Sequence, residues 1–402
     1  MIVFIDWLGL GLAYPMFSSM VFDRTFGLLP EQTTDAVRGM YLGILLGGMS
    51  VTQFFSAPIL GSLSDAQGRK RILIYSLLVG VFGYVLAVIA VMQQHLYLLI
   101  TSRLVIGIST GSAAVASAYI ADISSSLEEK TKNFGLFNMA TGLGFTIGPF
   151  LGGKLSSTGF GPFTGYSFPF FVAGFVLLLN AVLILFLFKE THFLRKPKKL
   201  NWIIGIHNLV RAFRNPNLRV LFLVVLFVTF GWSFFWEFIP VTWIKRYALN
   251  ADGVGSLYGF AAGVYAFSSA CLIRPLVQRF KPAPTLFYAL SLQGIYMFLF
   301  LIPMALFWVW AYIPLQQLLI ALTVTILQSL ISNRTSADMQ GEILGVLQSV
   351  IACGFIISPL ISGPLLGLTS DMPMIIGGVA FFLASAILAI FLKREIFARK
   401  SK

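Results

Sequence analysis

Twelve runs of roughly 20 mostly apolar residues follow one another along this chain, each long enough to cross a hydrocarbon layer of about 30 Å as a helix. They fall at 2–22, 38–61, 72–92, 97–121, 134–156, 167–188, 218–240, 253–273, 284–303, 306–330, 341–366 and 372–392. Backbone inside lipid has to satisfy its own hydrogen bonds, and a helix does this within one segment. The spacing therefore predicts an all-α membrane protein of twelve transmembrane helices. With 57% apolar and only 11% charged residues, against about 25% charged in soluble proteins, the chain lacks the polar surface of a water-soluble globule.

The stretch 189–217 divides the runs six and six, predicting a first bundle at 1–188, a linker, and a second bundle at 218–402. Within the linker, Leu200 to Phe213 places Trp202, Ile203, Ile206, Leu209, Val210 and Phe213 at helical spacing, with Arg211 and Arg214 nearby. This reads as an amphipathic helix on an anionic leaflet, tethering the two halves. The first run begins at Ile2, lacks a basic leader and contains Asp6, so it is expected to be a retained helix and not a cleaved signal.

A net charge of +13 suggests nucleic acid only until the bases are placed. Alternate connections and the C-terminal tail hold 22 Lys and Arg, whereas the other connections hold 4. By the positive-inside bias, the rich side, with both termini, is cytoplasmic. No nucleic-acid partner is expected, and the chain reads as a multi-pass protein of a bacterial inner membrane, working as a monomer. Cys271 and Cys353 lie in or beside apolar runs, which argues against a disulfide framework. His95, His192 and His207 lie in connections, and no phosphate-cradling loop occurs. The pattern therefore points to neither an enzyme nor an ATP-driven pump, and no metal or cofactor is implied.

Three kinds of residue attract attention within this frame. The charged knot Gly61 to Arg71 contains Asp65, Gly68, Arg69, Lys70 and Arg71 and marks a tight turn between the second and third runs. The bases serve as a topology anchor; Asp65 is the unusual member, able to cap a helix or to pair with a base. Asp6, Arg103 and Glu237 lie inside apolar runs, where a charge costs about 2.5–3.5 kcal/mol at a helix centre and marks a functional site by default. Asp6 and Glu237 are candidate proton carriers. Glu237 can equally bind a substrate cation or pair with Lys245 or Arg246. Arg103 lies too far along its run to assume a bridge to Asp6 and is expected to bind backbone or polar atoms of neighbouring helices. Polar and aromatic candidates for a substrate cavity are Arg103, Gln53, Tyr119, Asn138, Trp236, Gln293 and Gln348.

Sliding the chain by 210 residues superposes Gly135–Leu155 on Gly345–Leu365 with seven of 21 positions identical, including a Gly-Phe-x-Ile-x-Pro order ending at Pro149 and Pro359. These are runs five and eleven, so each half repeats the other in the same orientation. Parallel repeats of this kind imply rocking about a central site near the bilayer midplane.

Four ordered motifs carry a resemblance. They are Asp6-x-x-Gly9-x-Gly11-x-x-x-Pro15, the knot Gly61 to Arg71, Arg103-x-x-x-Gly107-x-x-x-Gly111 followed by Ala118 to Asp122, and Gly144-x-x-x-Gly148-Pro149-x-x-Gly152-Gly153. Together they resemble the major facilitator superfamily, and within it the bacterial drug/proton antiporters that include tetracycline exporters. The resemblance implies a state latch in which Asp65 meets the N-terminal end of the eleventh helix and Arg69 pairs with Asp122. It implies packing roles for Gly144, Gly148, Pro149, Gly152, Gly153 and Pro359. It also implies proton-coupled export of a small amphipathic molecule, with the proton gradient as driving force. The alternative is an uptake symporter or facilitator for a siderophore or polar metabolite. The acids that tetracycline exporters carry in their third and ninth helices have no counterpart here around Gly83 and Tyr84 or around Gln293.

Overall fold

The structure, a computed structural model, describes residues 2–124, 127–190, 204–214, 218–302, 305–334 and 340–400. The first half comprises α1 (Ile2–Phe22), α2 (Asp35–Gln67), α3 (Arg69–Met92), α4 (Leu96–Thr110), α5 (Ser112–Ile123), α6 (Leu127–Leu155) and α7 (Ser167–Leu187). A short antiparallel hairpin, β1 (Gly159–Phe160) with β2 (Phe163–Thr164), joins α6 to α7. After α8 (Ile204–Arg214) the second half comprises α9 (Arg219–Tyr247), α10 (Ala251–Phe267), α11 (Ile273–Arg279), α12 (Pro282–Leu299), α13 (Leu306–Ser332), α14 (Gln340–Leu365) and α15 (Met372–Lys400). Helices α4 and α5 form one rod, as do α10 and α11. Ten rods are long and apolar enough to cross a membrane, and α6 and α12 occupy the places of the fifth and ninth runs. The result is a twelve-helix membrane protein.

Local chemistry sets several boundaries. The His95 ring accepts a hydrogen bond from the Leu98 N–H at the start of α4, and the Asn250 side chain accepts from Gly253 at the start of α10. Between α10 and α11 the chain makes a π-helical turn, Ser268–Leu272, in which the Ile273 N–H reaches back to Ser268. Pro275 follows; it has no N–H to give the Cys271 carbonyl, and its ring crowds that turn. The knot is less of a loop than its charges suggest. Helix α2 continues to Gln67 and α3 starts at Arg69, so the reversal is made at Gly68 alone, with φ of 103°.

Two apolar cores result. One is built mainly from the first half, with Phe238, Val241, Ala251 and Leu366 of the second half set into it, and the other from the second half. Helix α6 packs on α1 of its own half and α10 of the other; α14 packs on α9 of its own half and α2 of the other. One two-fold relation exchanges these pairs, as the 210-residue repeat requires. The end of the bundle bearing Arg69 to Arg71, α8 and the close of α15 is rich in bases and is hereafter the basic end; the opposite one is the far end.

Candidate transport site

At the far end the halves touch backbone to backbone. A Cβ on Gly39 would strike the carbonyl of Gly363, one on Gly43 the carbonyl of Pro359, and one on Gly255 the backbone of Gly153 and Pro149. Only hydrogen at these positions lets α2 meet α14, and α6 meet α10, this closely. Two ion pairs cross the same seam: Lys154 to Asp252 at 3.0 Å and Lys245 to Asp35 at 2.6 Å. Asp35 also receives Arg24 at 3.5 Å. Arg246 pairs with Asp371 at 2.6 Å, so neither base proposed for Glu237 serves it.

Beneath this seam lies a layer of buried polar groups drawn from both halves. The Arg103 guanidinium donates from Nε to the Leu45 carbonyl at 2.9 Å and lies 4.3 Å over the Phe17 ring. It is within electrostatic range of Tyr14 and Tyr84 and, across the seam, of Glu237. Glu237 accepts a 2.9 Å hydrogen bond from Ser233 one turn earlier. Tyr258 donates to the Trp236 carbonyl at 2.5 Å, and its ring packs edge-on against Trp236 and Tyr14. Trp232 stacks on Trp236 at 5.1 Å, and Phe145 meets Tyr14 at 5.7 Å. At ~1.5 Å per residue Tyr14, Arg103, Phe145, Glu237 and Tyr258 lie roughly 10–15 Å from the far ends of their helices, with Trp232 about two turns deeper. Arg103 and Glu237 are only 3% and 5% exposed, so each half contributes one sequestered ionisable side chain to the layer, a base from the first and an acid from the second.

Asp6 lies nearer the basic end, at roughly 24 Å from the far end of α1 by the same rise, and is half-buried. The Tyr84 phenol, within electrostatic range of Asp6, donates to the Gly9 carbonyl at 3.1 Å. Below the layer, among the described residues, the close glycine contacts between the halves cease: Val3 to Leu8 and Gly48 to Phe54 are half-buried, and Gly61 and Gly142 face open space. The halves part toward the basic end.

The sequence-derived cavity set divides. Trp236 joins the layer, and Gln53 is half-buried on α2. Gln348 is exposed on α14, and the Asn138 side chain lies outside the described residues. Two assignments are corrected. Gln293 is buried within the second half, where its Nε2 donates to the Thr323 hydroxyl at 2.7 Å and the Leu319 carbonyl at 3.3 Å and ties α12 to α13, so its amide is turned to α13 and not to the space between the halves. Tyr119 stacks on Phe188 at 3.7 Å at the basic end, away from the layer.

Tyr119 instead borders the knot. There Arg69 bonds Asp122 at 3.0 Å, Asp65 at 2.7 Å and the Ser64 hydroxyl at 2.6 Å. A residue that motif reading passed over completes the cluster: Glu190, just beyond α7, accepts from the backbone N–H groups of Arg69 at 2.9 Å and Lys70 at 3.2 Å. A carboxylate at a helix N-terminus satisfies free donors and the positive end of the dipole. A Cβ on Gly68 would collide with that carboxylate, which gives the glycine a second reason beyond its positive φ. The other half of the expected latch, the start of α14 at 340–342, falls on side chains outside the described residues. The packing glycines do converge: Gly144 and Gly148 meet α1 at Phe4, Leu8 and Gly11, Gly152 meets Leu12, and Gly153 crosses to α10.

A bundle of twelve helices in two related halves, joined over a buried charged layer, defines a secondary transporter. The Major Facilitator Superfamily model matches residues 1–359, and the chain belongs to that family. It is 27% identical over 366 residues to the class C tetracycline resistance protein of Escherichia coli, covering 89% of this chain and 86% of that one. It is 23% identical over 402 residues to multidrug resistance protein 2 of Bacillus subtilis strain 168, covering 98% and 94%. Among solved structures, the D-xylose-proton symporter aligns with a TM-score of 0.75 at 13% identity, covering 96% of this chain and 95% of that one. The human organic anion transporter MFSD10 aligns at 0.68 and 20% identity, covering 96% and 98%; both likenesses concern the fold.

Proposed function

We propose that this protein exports a small amphipathic molecule in exchange for protons, with its basic end and both termini in the cytoplasm of a bacterial cell. The observation that carries the reading is the buried layer in which Arg103 of one half lies within electrostatic range of Glu237 of the other, roofed by a closed seam and open toward the basic end. Charges placed there gain or lose partners when the halves rock, so protonation and conformation are linked. Asp6, reached from the basic end, and Glu237, under the far seam, are the proton carriers. The rings of Tyr14, Phe145, Trp232, Trp236 and Tyr258 supply the apolar wall that an amphipathic substrate needs. The relatives' names, tetracycline and multidrug resistance proteins, support efflux. Against metal–tetracycline in particular stands the absence of acids in runs three and nine.

The test is a proteoliposome assay with an imposed pH gradient, screening dyes, antibiotics and siderophores in both directions. Substrate-dependent proton movement is expected, and Asp6→Asn should abolish it. Downhill flux indifferent to pH, or uptake coupled to proton entry, would replace the exporter with a facilitator or a symporter.

A further inference from the structure

Helix α8 lies outside both bundles, yet packs on α14 and α9 of the second half and touches α2 of the first. It thus sits where the basic ends of α2 and α14 have parted, although the far ends of the same two helices meet at Gly39 and Gly363. Ile206, Val210 and Phe213 form one exposed stripe, i, i+4 and i+7 along the helix, and His207, Arg211 and Arg214 form an exposed stripe about a quarter-turn round. Exposed Arg219 follows at the start of α9. Between Glu190 and Glu237 the sequence has no Asp or Glu, but it has Arg195, Lys196, Lys198, Lys199, Arg211, Arg214 and Arg219. An apolar edge flanked by bases, in a segment free of acids, complements an anionic lipid surface and little else.

From this we infer that anionic phospholipid headgroups of the cytoplasmic leaflet bind α8 and, by holding it between α2 and α14, favour the state in which the basic end is open. The apolar stripe enters the boundary between headgroups and acyl chains, and Arg214 and Arg219 take the phosphates. When the basic ends close, α2 and α14 need the space α8 fills, so α8 has to leave its lipid contacts. A leaflet that binds α8 more tightly therefore raises the population of the inward-open form, through its differential affinity for the two states. The consequence rests on the alternating-access reading above; the lipid contact itself does not.

The experiment uses the full-length protein in nanodiscs of phosphatidylcholine alone, or of phosphatidylcholine and phosphatidylglycerol in equal parts. One readout is contact: collision quenching, by a lipid-borne quencher, of a label introduced by His207→Cys. The other is state: the separation of spin labels at the basic ends of α2 and α14. Phosphatidylglycerol is expected to deepen the label and to raise the open-to-closed ratio about five-fold or more, on the scale of about one base per five-fold in binding. Arg214→Gln with Arg219→Gln should remove most of both effects while leaving transport in phosphatidylcholine intact. Val210→Ser with Phe213→Ser should weaken the contact with all charges kept. A contact unaffected by phosphatidylglycerol, or unchanged in the double arginine variant, overturns the inference. So does reproduction of the state shift by free glycerol phosphate over phosphatidylcholine, which would assign a soluble anion. A normal contact without any change of state removes the coupling and retains the lipid surface.

Discussion

The two ends of the bundle are held by opposite means. At the far end the described ties between the halves are glycine against backbone where α2 meets α14 and α6 meets α10, Lys154 of α6 to Asp252 of α10, and Lys245 of α9 to Asp35 of α2. At the basic end the described ties of Arg69, to Ser64, Asp65, Asp122 and Glu190, stay within the first half and the segment leaving it. The far end is thus a seam between bodies, while the basic end is a clasp within one body. A seam whose closest contacts are backbone against backbone can be opened as a whole by moving one half, at the cost of its two ion pairs. A clasp inside one half keeps α2, α3 and α5 together as that half moves.

The sharpest way to break this contrast is to put a side chain in the seam. Gly39→Leu or Gly43→Leu overpacks against a carbonyl, and overpacking costs about 1–3 kcal/mol or more, equivalent to roughly five- to 150-fold in a two-state ratio. Both variants should expose the far end to membrane-impermeant thiol reagents at cysteines introduced beneath the seam and should lose most transport. Next in size is the clasp. Arg69→Ala leaves two carboxylates without their shared base and should cut transport about ten-fold, with Arg69→Lys a poor rescue, because a lysine cannot hold Asp65, Asp122 and Ser64 from one planar fork. If Arg69→Ala instead opened the far end, the division of labour would be wrong.

Asp65→Asn is expected to shift the protein toward the inward-open form and to lower transport. Unchanged flux at normal expression would remove Asp65 from any latch. Breaking one ion pair of the seam, Lys154→Ala, should have a smaller effect, because pairs this exposed contribute about 0–1 kcal/mol. A change of at most five-fold in the state ratio, shrinking as salt rises, is the expected reading.

The smallest effect concerns Asp23, in the connection between α1 and α2. Burial pushes its carboxyl up, but the Thr25 hydroxyl at 2.6 Å, the Tyr166 phenol at 3.0 Å and the N–H groups of Thr25 and Phe26 outweigh that and hold it below its ordinary range. A depressed folded value contributes stability above the unfolded pKa of about 3.9, and that contribution is lost as pH falls through the lower folded one. Asp23→Asn should lower the thermal midpoint by about 1–2 °C at neutral pH, and the gap should close on acidification below the carboxylate range.

Much of this architecture was legible because lipid forces a simple pattern. Apolar length gave the rods, and the 210-residue repeat gave the relation between α6 and α14. The expected Arg69 to Asp122 pair was carried by motifs whose spacing is local. What escaped were contacts that depend on how distant rods cross. Glu190 lies 121 residues from Arg69 in a segment that reads as linker, and nothing in its surroundings says that a helix start will need a carboxylate. Glu237 was matched with Lys245 and Arg246 because they are near in sequence. Along a helix of about 1.5 Å per residue they lie some 12 Å away or more, close enough to the far end to take Asp35 and Asp371 instead. Tyr119 and Gln293 were grouped with the cavity by polarity alone, which cannot say which side of a buried helix a residue faces. The Tyr14 and Tyr258 pair, one tyrosine from each half, had no signal in either half taken separately.

The wide turn at Ser268–Leu272 has a mechanical consequence. A five-residue winding takes in one more amide than the ordinary helix over the same arc, so the rod stores a spare residue just before Pro275. Winding or unwinding that slack lets Ile273 to Arg279 swivel while Ala251 to Gly259 stay seated against α6. One end of a single rod can therefore move with the basic end while its other end keeps the far end shut.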